Sequence, residues 1–252
     1  MHTTHDARDW AQAIIVALDV DTKEDATTLL DELEGYNIWI KVGNQLGTAI
    51  GWESAINLVH DRGFSIFCDT KYKDIPETVK LSSKAITTLG ADMFNVMADT
   101  SENVLAAAVE GKNIATTNHK LRPPLLIGVT VLTSLSDNES NAIYGAPAQE
   151  KVLQFASSSA TAKLDGVVCS AEEAELLRAH EATKNLLLVT PGIRPTWAAS
   201  GDQSRVMTPK MAIQAGADYL VIGRPITQPP AEVGSPKAAL EKIIEELGGK
   251  ND

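Results

Sequence analysis

Two acidic residues and one basic residue lie close together at the end of a short apolar run. Residues 67–76 read Phe-Cys-Asp-Thr-Lys-Tyr-Lys-Asp-Ile-Pro, which places Asp69, Lys71 and Asp74 within six positions. Side chains alternate between the faces of a strand, so Asp69 and Lys71 are expected on one side, with Asp74 on the following loop. Neighbouring carboxylates keep a lysine protonated. A fixed ammonium suits a reaction in which a carbanion forms and then takes up a proton. The alternative at this point is a structural ion pair at a strand end.

A second lysine stands alone in an apolar segment. Lys41 lies within Trp39-Ile40-Lys41-Val42-Gly43, and an ammonium in such a place must reach either water or a carboxylate. Asp69, on the next predicted strand, is the expected partner. The charged side chains would then form an array of alternating sign, Lys41–Asp69–Lys71–Asp74, in which both lysines stay charged.

Cations near the C-terminal end of the chain indicate an anion site. Gly223-Arg224 follows the last apolar run and Arg194 lies in Thr190-Pro191-Gly192-Ile193-Arg194-Pro195. Glycine permits close approach of the backbone to an anion, and arginine supplies a forked charged donor. The long polar segment 195–206 is typical of a lid, from which Gln203 could bind a ligand.

Eight apolar runs that alternate with helical patterns predict the elements that must position these residues. Continuously apolar runs are typical of parallel strands buried on both faces, and eight βα units in about 250 residues indicate a single (β/α)8 barrel over residues 1–252. Residues 1–12 would form a polar N-terminal extension. A doubly wound open sheet is the alternative. The predicted strands are Ala13–Val20, Ile38–Gly43, Phe64–Lys71, Met93–Ala98, Leu125–Leu132, Gly166–Ser170, Leu186–Gly192 and Tyr219–Pro225.

The barrel hypothesis explains where the polar residues fall in the sequence. Active sites of such barrels lie at the C-terminal ends of the strands, and the polar residues gather at those ends. Residues from eight separate strands meet at one place only if the sheet closes. They include Asp19, Lys41, Asp69, Lys71, Thr133, Arg194, Gly223 and Arg224.

Composition excludes several classes of function. The net charge of −11 argues against a nucleic-acid binder and against binding to an anionic membrane, although a local basic pocket could still take an anionic small molecule. Residues 1–12 contain no apolar segment typical of a signal peptide, and no 18-residue apolar run is present, so a cytoplasmic chain is expected. Cys68 and Cys169 lie in apolar runs and are expected as buried, reduced thiols.

Together these motifs resemble the orotidine 5′-phosphate decarboxylase family. The similarity runs in order from about residue 13 to residue 228, which is nearly the whole chain. The motifs that carry it are Lys41-Val42-Gly43, Asp69-x-Lys71-x-x-Asp74-Ile75-Pro76, Val129–Ser134, Gly166–Ser170, Val189–Pro195, Gly201-Asp202-Gln203 and Val221–Pro225.

The resemblance implies an enzyme that forms UMP and CO2 from orotidine 5′-phosphate, the last step of de novo UMP synthesis, without metal or cofactor. Lys71 would protonate C6 of the pyrimidine, and Asp69 would lie beside the substrate carboxylate and orient Lys71. The other implied roles are ribose binding by Asp19 and Lys41, pyrimidine binding by Thr133, and phosphate binding by Arg194, Gln203, Gly223 and Arg224. Asp74 and Thr78 would reach the neighbouring site of a homodimer.

Three positions depart from the family pattern. Met97 stands where bacterial members usually have histidine, Asp99-Thr100-Ser101 replaces a small, glycine-rich run, and Tyr72-Lys73 is atypical between Lys71 and Asp74. None of them removes a residue to which the resemblance gives a role. They bear on the packing around the fourth strand.

Two other functions remain open from the sequence. Relatives that act on keto-sugar phosphates share the Asp-x-Lys-x-x-Asp motif and hold Mg²⁺ through carboxylates, one of them at the position of Lys41. An ammonium there would repel a divalent cation. The second alternative is a non-catalytic UMP-binding protein, which would be expected to lack Lys71 or Asp69, and both are present.

Overall fold

Eight parallel strands close into a barrel in the order in which they occur in the sequence. The computed structural model describes residues 10–198 and 207–248. The sheet closes because the first strand pairs with the last, with Ile14 opposite Leu220 and Val16 opposite Ile222. The (β/α)8 prediction is therefore confirmed, and the open-sheet alternative is wrong. The strands are β1 Ile14–Ala17, β2 Trp39–Val42, β3 Ser65–Tyr72, β4 Met93–Met97, β5 Leu125–Val129, β6 Gly166–Val168, β7 Leu187–Thr190 and β8 Tyr219–Ile222.

Helices cover the outside of the barrel. Local signals start two of them: the hydroxyl of Thr22 caps the first helix by accepting from the N–H of Asp25, and Pro76 occupies the first turn of the fourth. A 3-10 helix, Trp10–Ala13, precedes β1, and Trp10 packs against the core. The helices are α1 Lys23–Glu32, α2 Asn44–Ile50, α3 Trp52–His60, α4 Pro76–Thr88, α5 Glu102–His119, α6 Asp137–Tyr144, α7 Ala148–Thr161, α8 Ala171–Ala179, α9 Pro209–Gln214, α10 Arg224–Thr227 and α11 Pro236–Gly248.

The core has an inner and an outer layer. The inner layer fills the barrel, and the outer layer packs the sheet against the helices. Each fully buried aliphatic side chain contributes about 1.5–3 kcal/mol. Cys68 and Cys169 are buried and free, as predicted. None of the helices in the described residues is long and apolar enough to cross a bilayer. The inner layer consists of Ile15, Ala17, Phe67, Met93, Ile127, Val189 and Val221.

Three aspartate clamps fasten the N-terminal end of the barrel. Each aspartate directly precedes an even-numbered strand, and its carboxylate accepts the backbone N–H of the second residue of the preceding odd-numbered strand. The same carboxylate pairs with a cation from the helix before that odd strand, so one oxygen joins two strands and a helix. The triplets are Asp92 with Ile66 and His60, Asp165 with Leu126 and Lys112, and Asp218 with Leu188 and Arg178.

His60 makes one of these clamps sensitive to pH. Its hydrogen bond to the Asp92 carboxylate, 2.9 Å long, raises the pKa of His60 above its ordinary value. The bond between protonated His60 and Asp92 therefore stabilises the folded state fully at a pH below the pKa of histidine in the unfolded chain, near 6.5. This stabilisation is lost as the pH rises through the pKa that His60 has in the folded protein. The difference in unfolding free energy between wild type and His60→Gln is therefore expected to shrink as the pH rises from about 6.5.

Urea denaturation at a series of pH values measures this difference. His119→Gln is the matched control, because His119 is exposed at the end of α5 and belongs to no clamp. It should give no comparable slope. A pH-independent cost of His60→Gln would contradict the clamp's dependence on the charge of His60.

Candidate active site

One cavity of about 310 Å³ opens at the C-terminal end of the barrel. This volume lies at the lower end of the range for small-molecule sites. The structure brings most of the predicted site residues to its wall, from the ends of β1, β2, β3, β7 and β8 and from the loop after β5. Those that line it are Asp19, Lys41, Asp69, Lys71, Thr133, Arg194, Gly223 and Arg224.

A row of alternating charges crosses one side of this cavity. The Asp69 carboxylate lies between two ammonium groups: Oδ1 is 2.5 Å from Lys71 Nζ and Oδ2 is 3.2 Å from Lys41 Nζ. Lys41 Nζ is also 3.4 Å from Asp19 Oδ1. The side chains of Lys41 and Asp69 are each only 12% exposed. The order predicted from sequence, Lys41–Asp69–Lys71, is thus present in the geometry.

The two lysines determine the charge state of Asp69. Burial acts to raise the pKa of Asp69, but the ammonium groups of Lys41 and Lys71 outweigh it and hold that pKa below the usual value. Asp69 is therefore ionised at neutral pH, and its negative charge attracts the ammonium groups on either side of it. Among residues 10–198 and 207–248, no group of three or more His, Cys, Asp or Glu side chains has metal-ligand geometry.

Asn95 belongs to this cluster, although the sequence analysis gave it no role. It lies on β4 and is fully buried. Its Nδ2 donates to Asp69 Oδ1 at 2.7 Å, and its Oδ1 accepts the backbone N–H of Lys71 at 2.7 Å. The available signal was a lone amide in the apolar run Met93–Met97, one strand away from Asp69.

Lys71 reaches the cavity through an irregular stretch of β3. Its backbone is left-handed, with φ 48°, a conformation that is uncommon for residues other than glycine. Cys68 pairs with Phe94 and Tyr72 pairs with Val96, so β3 holds two more residues than β4 over this stretch. Asp69 and Lys71 do meet, as the alternation rule predicted, but through this distortion rather than along a regular strand.

The loops after β7 and β8 carry the predicted cations of the cavity. Arg194 is buried. Its backbone N–H donates to the carbonyl of Met207 at 3.0 Å, so the loop after β7 is bonded to the segment just before α9. Arg224 begins α10 directly after Gly223. Residues 199–206 of the predicted lid, including Gln203, lie outside the described residues.

Asp74 and Thr78 lie apart from this cavity. Both are exposed, and the Asp74 carboxylate accepts the backbone N–H of Ile75 at 2.6 Å. Neither residue lines the cavity of its own chain. A single chain therefore assembles three members of the predicted four-residue array.

Two of the departures from the family pattern contact each other. Lys73 Nζ lies 2.7 Å from Asp99 Oδ2, and the Tyr144 hydroxyl donates to the same oxygen at 3.2 Å. The ion pair joins the loop that carries Asp74 to the end of β4. Met97, the third departure, pairs with Val129 in the sheet and is not among the cavity-lining residues.

Comparison with known proteins gives consistent matches over most of the chain. The family model described as orotidine 5′-phosphate decarboxylase / HUMPS family matches residues 12–243. Proteins named orotidine 5′-phosphate decarboxylase from Vibrio cholerae and Idiomarina loihiensis are 46% and 44% identical over 236 residues, covering 93% of this chain and 97% of each relative. A solved structure of that name from Lactobacillus acidophilus is 35% identical, covers 94% of this chain and all of its own, and has a TM-score of 0.79.

Proposed function

The chain belongs to the orotidine 5′-phosphate decarboxylase / HUMPS family, and from that premise we propose that it converts orotidine 5′-phosphate to UMP and CO2. This is the last step of de novo UMP synthesis. The observation that carries the proposal is the Asp69 carboxylate held between two ammonium groups on the wall of the cavity. Relatives 44–46% identical bear the name of this activity.

Lys71 is the proton donor in the proposed reaction. The bond between C6 and the carboxylate breaks, the electron pair stays on C6, and CO2 leaves. The ammonium of Lys71 stabilises the carbanion at C6 and then transfers one proton to it, which leaves a neutral amine that solvent reprotonates. Asp69 holds the Lys71 ammonium in place, because the two groups are in direct contact. No metal or cofactor is required in this scheme.

The remaining residues of the cavity bind the parts of the substrate that do not react. We assign the ribose hydroxyls to Asp19 and Lys41, the pyrimidine to Thr133, and the phosphate to Arg194, Gly223 and Arg224, with Gln203 as a further phosphate ligand. These phosphate ligands come from the loops after β7 and β8, whereas Lys71 lies on β3. Binding energy at the phosphate can therefore hold the reacting carbon in the charged row without taking part in the chemical step.

We propose that a second copy of the chain completes the site. Asp74 and Thr78 would then reach the partner's cavity, which agrees with their exposed position. Ile75, the residue before helix α4, is 66% exposed, and Leu81 on α4 is 52% exposed. Exposed large apolar side chains in the segment that carries Asp74 and Thr78 agree with a surface covered by a partner.

Mixed dimers test the shared site directly. Asp74→Ala and Lys71→Ala are each expected to be inactive, but a hybrid dimer keeps one site with both native residues. Random subunit exchange should therefore restore about a quarter of wild-type activity. Each variant incubated with itself is the control. Absence of recovery, with exchange verified by differently tagged subunits, would contradict the shared site.

The Mg²⁺-dependent keto-sugar-phosphate reaction fits this cavity less well. Asp69 is the acidic residue nearest to Lys71, and both of its oxygens already contact ammonium groups. A divalent cation at that carboxylate would lie beside two positive charges, which disfavours its binding.

An ultraviolet assay with orotidine 5′-phosphate and EDTA tests the proposal. Loss of the substrate absorbance with formation of UMP is the expected result. A folded protein that leaves the substrate unchanged would overturn the proposal. Assays with keto-sugar phosphates and Mg²⁺, followed by UMP binding, would then distinguish the other two functions.

A further inference from the structure

We propose that Asn95 is a positioning residue that holds Asp69 and Lys71 in their reactive arrangement, an inference that rests on the proposed function. Asn95 is fully buried on β4, so it can act on the substrate only through its neighbours. Its side chain donates a hydrogen bond to the Asp69 carboxylate and accepts one from the backbone N–H of Lys71.

The first contact fixes the Asp69 carboxylate. Asp69 Oδ1 accepts from Asn95 Nδ2 at 2.7 Å and from Lys71 Nζ at 2.5 Å. The amide therefore defines where this oxygen lies, and the oxygen defines where the ammonium lies. A neutral donor also favours the ionised carboxylate without adding a competing charge.

The second contact holds the backbone of Lys71 where the sheet cannot. The regular pairing of β3 with β4 is interrupted between Cys68 and Tyr72, and Lys71 has a left-handed backbone inside that interval. Its N–H donates to Asn95 Oδ1 instead of to a strand carbonyl. The hydroxyl of Thr70 also donates to the Asn95 carbonyl, at 2.7 Å. Together the two bonds anchor the distorted segment to β4.

The chemistry of the neighbours explains why an amide occupies this position. An ionised carboxylate only accepts hydrogen bonds, and a backbone N–H only donates them. The residue between them must offer one donor and one acceptor, and the two ends of the Asn95 amide do so in a single orientation. Aspartate would match only when protonated.

Two variants separate this role from a purely structural one. Asn95→Ala removes both contacts, and a misplacement of about 1 Å at a reacting group costs about 10²-fold in rate. We expect kcat to fall by that factor while KM changes less than about threefold, because the phosphate contacts remain. The acid limb of the pH profile should also move to higher pH, since Asp69 loses a donor that lowers its pKa.

Asn95→Asp keeps the shape of the side chain and gives a sharper result. The introduced carboxyl can donate to Asp69 only while it is protonated. The ratio of this variant's activity to that of wild type should therefore fall as the pH rises. Along the acid limb of the wild-type profile, by contrast, activity increases with pH. This variant also serves if Asn95→Ala does not fold.

Thr183→Val is the matched control for the loss of a buried hydrogen bond. Thr183 is fully buried, and its hydroxyl donates to the Leu177 carbonyl away from the cavity. It should lower stability without changing the pH profile. UMP binding, measured by calorimetry, should remain in both Asn95 variants.

Different outcomes would overturn the proposed function and the role of Asn95. A folded wild-type protein without decarboxylase activity would overturn the proposed function. An active wild type with Asn95 variants that keep full kcat, or that lose activity with no change in pH dependence, would overturn the role of Asn95 alone.

Discussion

Replacement of Lys71 by alanine is expected to lower kcat for orotidine 5′-phosphate by at least about 10³-fold while the protein stays folded. The ammonium both stabilises charge at C6 and supplies the proton, so its loss removes two contributions at once. The Lys71 side chain is 35% exposed, and its removal leaves no large cavity in the core. Single-turnover kinetics measures the loss, and circular dichroism follows the fold.

Lys73→Ala is the matched control for this variant. Lys73 lies two residues further along, its side chain is 51% exposed, and it pairs with Asp99 rather than with Asp69. Lys73 contacts none of the charged residues that line the cavity, so activity within about threefold of wild type is expected, and the loss of its pair with the 10% exposed Asp99 should lower stability rather than kcat. Substantial turnover by Lys71→Ala, or an equal loss in Lys73→Ala, would contradict the assignment of the proton donor.

Replacement of Asp69 by asparagine is expected to produce the second large loss, about 10²- to 10³-fold in kcat. The substitution preserves shape but removes the negative charge between Lys41 and Lys71. The two ammonium groups then repel each other with no carboxylate between them, which displaces Lys71 from its place in the row.

Single-turnover kinetics tests this second expectation. Asp31→Asn is the control, because it removes a carboxylate from an ion pair with Arg62 on the surface. That variant should keep the wild-type kcat. An Asp69→Asn enzyme with wild-type kcat would show that the charge of Asp69 is dispensable.

Much of the fold could be predicted because its signals are local. Each βα unit contributes an apolar run followed by polar residues at the strand end, and Asp19, Lys41 and Asp69 were identified from that pattern alone. The strand ends were less accurate: the predicted first strand extended to Val20, whereas β1 ends at Ala17. Leu18 is apolar and buried but lies beyond the last residue of β1, so hydrophobicity alone places this strand end too late.

Asn95 and the aspartate clamps were missed because their roles depend on register. Nothing within β4 indicates that Asn95 faces the distorted part of β3, since that distortion exists only in the paired sheet. The clamps likewise join residues that are far apart along the chain, such as Lys112 and Asp165. Their common pattern appears only when the odd and even strands are placed side by side.

The clamps also bear on how this protein can change over evolution. Asp92, Asp165 and Asp218 join β3 to β4, β5 to β6 and β7 to β8 at the end opposite the cavity. Insertions and substitutions at the cavity end of the barrel therefore leave the clamps intact. Substrate specificity can diverge at that end without a matching loss of folding stability. Lys73 and Asp99, which pair with each other at the cavity end, belong to no clamp and can therefore be exchanged together without loosening one.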